Sequence, residues 1–213
     1  MYNNELYHYG VKGMKWGVRR YQNKDGSLTN LGLKRRSGST GYDIPKGSVV
    51  FRAVANGSKN FMNRDYTYVS VTDKYYEHSY NTSQGLDNRF DTDFKMKTTR
   101  KLKIASSGDY FDAVCKSNGI DPNQYINQVP KNVFDKGKYI IENYLLEHKY
   151  IEGDGGGYEA LNNAVRYLKD KGFDGVLDPV DGAGQEHRGE NPIATIIFNP
   201  EQNMEIVAEY KYR

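Results

Sequence analysis

Three places in this 213-residue chain carry side chains whose type and setting could do chemistry. Arg52 is a lone cation inside the apolar run Val49-Val50-Phe51-Arg52-Ala53-Val54. A guanidinium is permanently charged and presents a rigid fork of donors suited to anions; the plainer alternative is an edge-strand arginine facing water, since arginine is rarely buried unpaired. In Tyr68-Val69-Ser70-Val71-Thr72 the period of a strand puts Ser70 and Thr72 on one face with Tyr68. That makes a hydroxyl-bearing surface, which ordinary strands also have. Glu190 follows the glycine-rich stretch 181–189 and precedes the apolar run Ile193–Phe198. A carboxylate at a loop-to-strand junction is well placed for function, although most surface glutamates are only solvated. The single cysteine, Cys115, sits among apolar helical neighbours and reads as a small core residue.

The elements that must position these groups can be read from periodicity. Residues 48–54 and 66–72 predict strands, and Leu102–Ala105 a short third. Asp109–Cys115 predicts a small helix ended by Asn118-Gly119, and a further helix is expected over Tyr139–Lys149. After the connector Gly153–Gly157, Leu161, Ala164, Val165 and Leu168 recur at the spacing of one helix face, closed by Lys169, Lys171 and Gly172. Phe173–Leu177, Ala194–Phe198 and Met204–Tyr210 predict three more strands. Strands gathered at both ends with helices between them argue an α+β fold rather than an alternating parallel one.

Composition bounds the rest. The length suits one domain with an appendage. Hydrophobic residues are only 37% of the chain, but 19 tyrosines supply large buriable surfaces. No run approaches the roughly 20 apolar residues of a membrane helix, and no leader-like segment opens the chain, so no membrane partner is expected. One Cys and four scattered His exclude a disulfide framework and argue against a metal site. The net charge of +3 is unevenly spread. Residues 1–40 carry eight Lys/Arg against Glu5 and Asp25, while the remainder is mildly acidic. The boundary is placed at the linker 36–41, giving a loop-rich basic arm, 1–40, and a domain, 41–213.

Taken in order, an arginine on an early strand, a Ser-x-Thr strand and a glutamate entering a late strand resemble the Arg–Ser–Glu triad of ADP-ribosyltransferases. The second half, Leu168–Asp178 followed by Glu190–Pro200, is similar to the ending of phage-encoded members, with a helix leading into a Lys-Gly-aromatic-Asp-Gly strand. The resemblance implies a mixed β-sandwich with flanking helices, NAD as substrate, and transfer of ADP-ribose to a macromolecular, protein acceptor with release of nicotinamide. It implies that Arg52 holds the phosphates, that Tyr68, Ser70, Thr72 and Tyr76 shape the nicotinamide and ribose pocket, and that Glu190 is the catalytic carboxylate. His78 would border that pocket. Arginine-modifying toxins of this class carry Glu-x-Glu, and here the position two before Glu190 is Arg188. That departure leaves a catalytically silent relative, or a nucleotide-binding protein that counters host defence, as alternatives.

The arm is a separate resemblance. Tyr7–Thr29, with Tyr-His-Tyr-Gly-Val-Lys-Gly-Met-Lys-Trp-Gly-Val-Arg-Arg at its centre, is similar to an arm on proteins encoded near the head and portal genes of tailed phages. It implies phage origin, action in the host bacterial cytoplasm or carriage in the virion, and a docking role for residues 7–36. Its interleaved aromatics and cations would equally suit a nucleic-acid strand.

Overall fold

The computed structural model describes residues 42–55, 57–71, 91–151, 157–179 and 193–211. Eight strands are present: β1 (Tyr42–Ile44), β2 (Val49–Val54), β3 (Tyr66–Val71), β4 (Thr92–Thr98), β5 (Leu102–Ala105), β6 (Gly175–Leu177), β7 (Ile193–Phe198) and β8 (Met204–Lys211). They form one sheet in the order β1-β5-β6-β7-β3-β2-β4-β8. Of these, β1 and β4 were not expected from the sequence. The helices are α1 (Ser107–Asn118), α2 (Asn123–Ile126), α3 (Lys131–Phe134), α4 (Lys138–Glu147), α5 (Gly157–Asp170) and α6 (Pro200–Asn203), with a 3-10 turn at Asn60–Asn63. The architecture is α+β. In place of two separate layers, the strands are hydrogen-bonded into a single curled sheet.

Every pairing is antiparallel except β5 with β6. A parallel pair needs a long crossover, and the helices α1 to α5 lie within that connection. The curl is visible in one hydrogen bond: Tyr42 Oη on β1 lies 2.9 Å from Thr195 Oγ1 on β7. Those strands are three positions apart in the sheet, about 14 Å if it were flat, so the bond closes only because the sheet folds inward.

Two cores result, one on each face. The inner core joins Tyr42, Val50, Phe94, Met96, Ile104, Leu177 and Ile197, from both limbs of the sheet. The outer core packs α1, α4 and α5 against Val176, Ile196 and Phe198. Alternation therefore splits β7, sending Ile197 inward and Ile196 and Phe198 toward the helices. This explains why β6 and β7 read as continuous apolar runs. On α5 the expected stripe, Leu161, Ala164, Val165 and Leu168, is the buried one. Helix α1 begins two residues earlier than the apolar pattern implied, because Ser106 and Asp109 form a capping box, and it ends at Gly119 in the left-handed region (φ 64°).

The Lys-Gly-aromatic-Asp-Gly segment has a structural account. Gly172 takes φ 79° after α5, and Phe173 lies under Lys103, whose Nζ is 4.3 Å from the ring centroid. The Asp174 carboxylate receives the Arg100 guanidinium and the Lys103 backbone N–H. Gly175 lets β6 approach β7 closely, since a Cβ there would meet the Ile196 carbonyl oxygen. At the far edge of the sheet, β8 carries a bulge opposite Lys95 and Met96. Together with Glu205, Glu209 and Lys211 it discourages pairing with a stray strand.

Cys115 is buried in the outer core, and burial, ahead of the nearby acids Asp112, Glu142 and Asp121, pushes its thiol up to about 11. The native thiol should therefore react with a disulfide reagent at pH 8 more than about a hundredfold slower than a free thiol, reaching normal rates only in denaturant; rapid native labelling would show that the α1 packing opens. The same shift makes Cys115 a group that loses native stability as pH rises from the ordinary thiol value, about 8.5, toward 11.

Candidate functional site

Strand order decides the surroundings of Arg52. β2 lies between β3 and β4, so this arginine does not face water from an edge strand. Its register partner on β4 is Phe94, and Val50 and Val54, two positions away on either side, share that inward face. The β2–β3 ladder pairs Val50 with Val71 and Phe51 with Ser70. Just beyond it, Arg52 Nη1 donates to the Tyr68 carbonyl at 2.8 Å, so a side chain satisfies an acceptor on the neighbouring strand. The guanidinium lies 6.0 Å from the Phe61 ring centroid, and Phe61 in turn sits 5.5 Å from Phe94. The Arg52 Nε–H is buried and has no hydrogen-bond partner.

Desolvation is the main influence on this guanidinium and holds its pKa below the ordinary value; the charge of Arg64 acts in the same direction, and Tyr68 opposes both. Among the described residues no carboxylate pairs with it. Thr67 is a second orphan: it is buried on β3, and its Oγ1 has no partner. Alternation puts Thr67 on the inward face with Val69 and Val71.

Ser70 is adjacent to Arg52 in the sheet but faces the other way. It pairs with Phe51 on β2 and with Ala194 on β7. Residues directly opposite share a face, so the Ser70 hydroxyl leaves the sheet beside Phe51, and the Arg52 side chain leaves from the opposite side. Tyr68 lies on the Ser70 face, 40% exposed and edge-on to Tyr66 at 6.3 Å. The strands of the three motifs are thus neighbours, while the side chains of Arg52 and Ser70 do not share a face. Thr72, Tyr76, His78, Glu190 and Arg188 lie outside the described residues, as does most of the Gly153–Gly157 connector.

Sequence reasoning passed over the turn that links β2 to β3. Lys59-Asn60-Phe61-Met62-Asn63-Arg64 sets a cation on each side of a buried aromatic, and that juxtaposition was the available signal. Lys59 Nζ lies 5.5 Å from the Phe94 centroid and 3.3 Å from Glu209 Oε2. Chemically, the region is a half-buried, permanently charged fork with a free donor, bordered by aromatic rings. Such a set recognises anions.

A model of a family of unknown function (DUF7211) matches residues 1–23, within the basic arm. No curated protein and no solved structure matches the chain. Among the described residues no helix is long and apolar enough to cross a membrane, and no cluster of His, Cys, Asp and Glu could hold a metal ion.

Proposed function

We propose that residues 41–213 form an ADP-ribosyltransferase-like domain of a phage protein, which binds NAD and transfers its ADP-ribose to a protein acceptor. One observation carries the reading. The strands bearing Arg52 and Ser70 and the strand that Glu190 leads into are contiguous, in the order β7-β3-β2, with Ser70 paired on one side to Phe51 and on the other to Ala194. Strands more than a hundred residues apart in sequence thereby become neighbours, which supports the reading. The unpartnered Nε–H of Arg52 and the lack of a carboxylate beside it among the described residues support an anionic ligand there.

In this reading the bond from the ribose C1′ to nicotinamide breaks with its electron pair leaving on nicotinamide. A lone pair of the acceptor then bonds C1′, and the acceptor gives up its proton. Arg52 would hold the phosphates, Tyr68, Ser70, Thr72 and Tyr76 would line the pocket, and Glu190 would stabilise the positive charge that builds on the ribose. The arm, 1–40, would dock the protein to phage head or portal components or to nucleic acid.

Nicotinamide release from NAD tests the reading, with Glu190→Gln expected to reduce it by at least about a hundredfold. No release by the native chain in any host lysate would sink it. A chain beginning at Gly41 should keep both fold and NAD binding, because both cores are built from residue 42 onward, while losing salt-sensitive association with phage particles. Unfolding on removal of the arm would instead make the arm part of the domain.

A second reading is a silent, virion-associated relative. Arg188 in place of the first Glu of Glu-x-Glu, and the opposite facing of Arg52 and Ser70, favour it. Calorimetric titration with NAD separates the two, since a silent body should give no heat. Preference for cyclic or ADP-ribose-type nucleotides over NAD would support an anti-defence role.

A further inference from the structure

We propose that a gap in the sheet between β2 and β3 is a binding site for a phosphoryl group, with the Thr67 hydroxyl and the Arg52 Nε–H as its two buried contacts. The role of Arg52 as an anion contact rests on the reading above; the gap and Thr67 stand apart from it and require only affinity for a phosphoryl group.

The gap comes from the way the two halves of the sheet are joined. β2 pairs with β4 at six positions, Val49 to Val54, and β3 pairs with β7 at six, Tyr66 to Val71. Between β2 and β3 only Val50 with Val71 and Phe51 with Ser70 are paired. Arg52, Ala53 and Val54 therefore run alongside β4 with no ladder partner on β3. The connection explains the interruption. A tight two-residue turn would carry a ladder to its end, whereas here the 3-10 turn Asn60–Asn63 sends Phe61 into the inner core, 5.5 Å from Phe94. A side chain spans the gap instead: Arg52 Nη1 donates to the Tyr68 carbonyl at 2.8 Å, with the guanidinium 6.0 Å from the Phe61 ring centroid.

Each wall of the gap presents a buried polar atom without a hydrogen-bond partner, Arg52 Nε on β2 and Thr67 Oγ1 on β3. Both residues belong to the inward face, Arg52 with Val50 and Val54, Thr67 with Val69 and Val71. The chain also keeps them close. Consecutive Cα atoms are about 3.8 Å apart, so Thr67 stands one residue from the carbonyl that the guanidinium touches. A buried hydroxyl and a buried guanidinium N–H each cost free energy while unpaired. One oxyanion between the walls would accept from both, and the bond to the cation is of the stronger kind. The way in is the arginine itself: its bond to Tyr68 is exposed, so water can take the carbonyl when the guanidinium turns. The anion thus exchanges one exposed hydrogen bond for two buried ones.

The test is titration of the full chain with inorganic pyrophosphate and with NAD, followed by calorimetry and by NMR of the arginine Nε–H signals. The Arg52 signal is assigned by its loss in Arg52→Lys, and pyrophosphate should shift it. Thr67→Val should weaken pyrophosphate binding by about tenfold or more. Its melting temperature should stay at or above the native value, because an apolar side chain of the same shape replaces a buried, unpaired hydroxyl. A hydroxyl needed only for folding would show the reverse pattern. Thr67→Ser, which keeps the hydroxyl, should bind within about threefold of the native chain. Equal affinity of the native chain and Thr67→Val for pyrophosphate overturns the site, as does an Arg52 Nε–H signal that pyrophosphate leaves in place. Thr67-dependent binding of pyrophosphate without binding of NAD would support the site and count against the ADP-ribosyl reading. NAD bound equally well by the native chain and Thr67→Val would do the reverse.

Discussion

Replacing Gly175 by alanine is expected to lower the unfolding free energy by about 3 kcal/mol, at the upper end for overpacking, and the melting temperature by about 6–12 °C. An added Cβ would lie 2.5 Å from the Ile196 carbonyl oxygen and 2.9 Å from Ile104 Cδ1. The side-chain carbon could swing away; the carbonyl could not. Ile196 pairs with Val176 in the β6–β7 ladder and with Tyr68 in the β3–β7 ladder, so moving it disturbs two strand pairs. The strain would fall at the centre of the sheet, where both faces are buried. Thermal unfolding followed by circular dichroism measures this. A fall of less than about 2 °C would mean that the close approach of β6 to β7 is readily relaxed.

Arg52→Met is expected to act in opposite directions on binding and on stability. Pyrophosphate and NAD affinity should fall by at least about a hundredfold, because the half-buried fork is gone. The unliganded protein should be as stable as before or more stable by about 1 kcal/mol, since an apolar chain of similar length replaces a desolvated cation beside Phe61 and the inward Val50 and Val54. The Tyr68 carbonyl that loses its donor is at an exposed bond, where water can take over. Denaturant unfolding with and without pyrophosphate checks both halves. A loss of several kcal/mol in the unliganded protein would show that Arg52 holds β2 to β3 and is structural.

These two residues also mark what the sequence could and could not say. Six strands and three helices were legible, because Val49–Val54, Ile193–Phe198 and the α5 stripe carry clean periods tied to a buried face. β4 was missed although Phe94 and Met96 alternate with Asp93, Lys95 and Lys97. Buried Thr92 and Thr98 complete its inward face in place of aliphatics, and so much charge and hydroxyl masked the pattern. β1 has three residues, too few for any period to show. At the site, the strand positions of Arg52 and Ser70 were legible but their facing was not. That facing depends on which residue of β2 stands opposite Ser70, and a register is a tertiary fact: shifting it by one residue would have put Arg52 beside the hydroxyl.

The strand order has a kinetic side. Only β2–β3 and β6–β7 join strands that are close in sequence. β3 must find β7, and β4 must find β8, across more than a hundred residues. Each such encounter spends chain entropy before any core contact repays it, which places this sheet among slow-folding topologies, with times of milliseconds to seconds rather than microseconds. The α1–α4–α5 layer is assembled from one stretch of chain and can gather first. The helical layer would then serve as the surface on which β6 and β7 condense, and the half of the sheet that carries Arg52 would be the last part of the molecule to take shape.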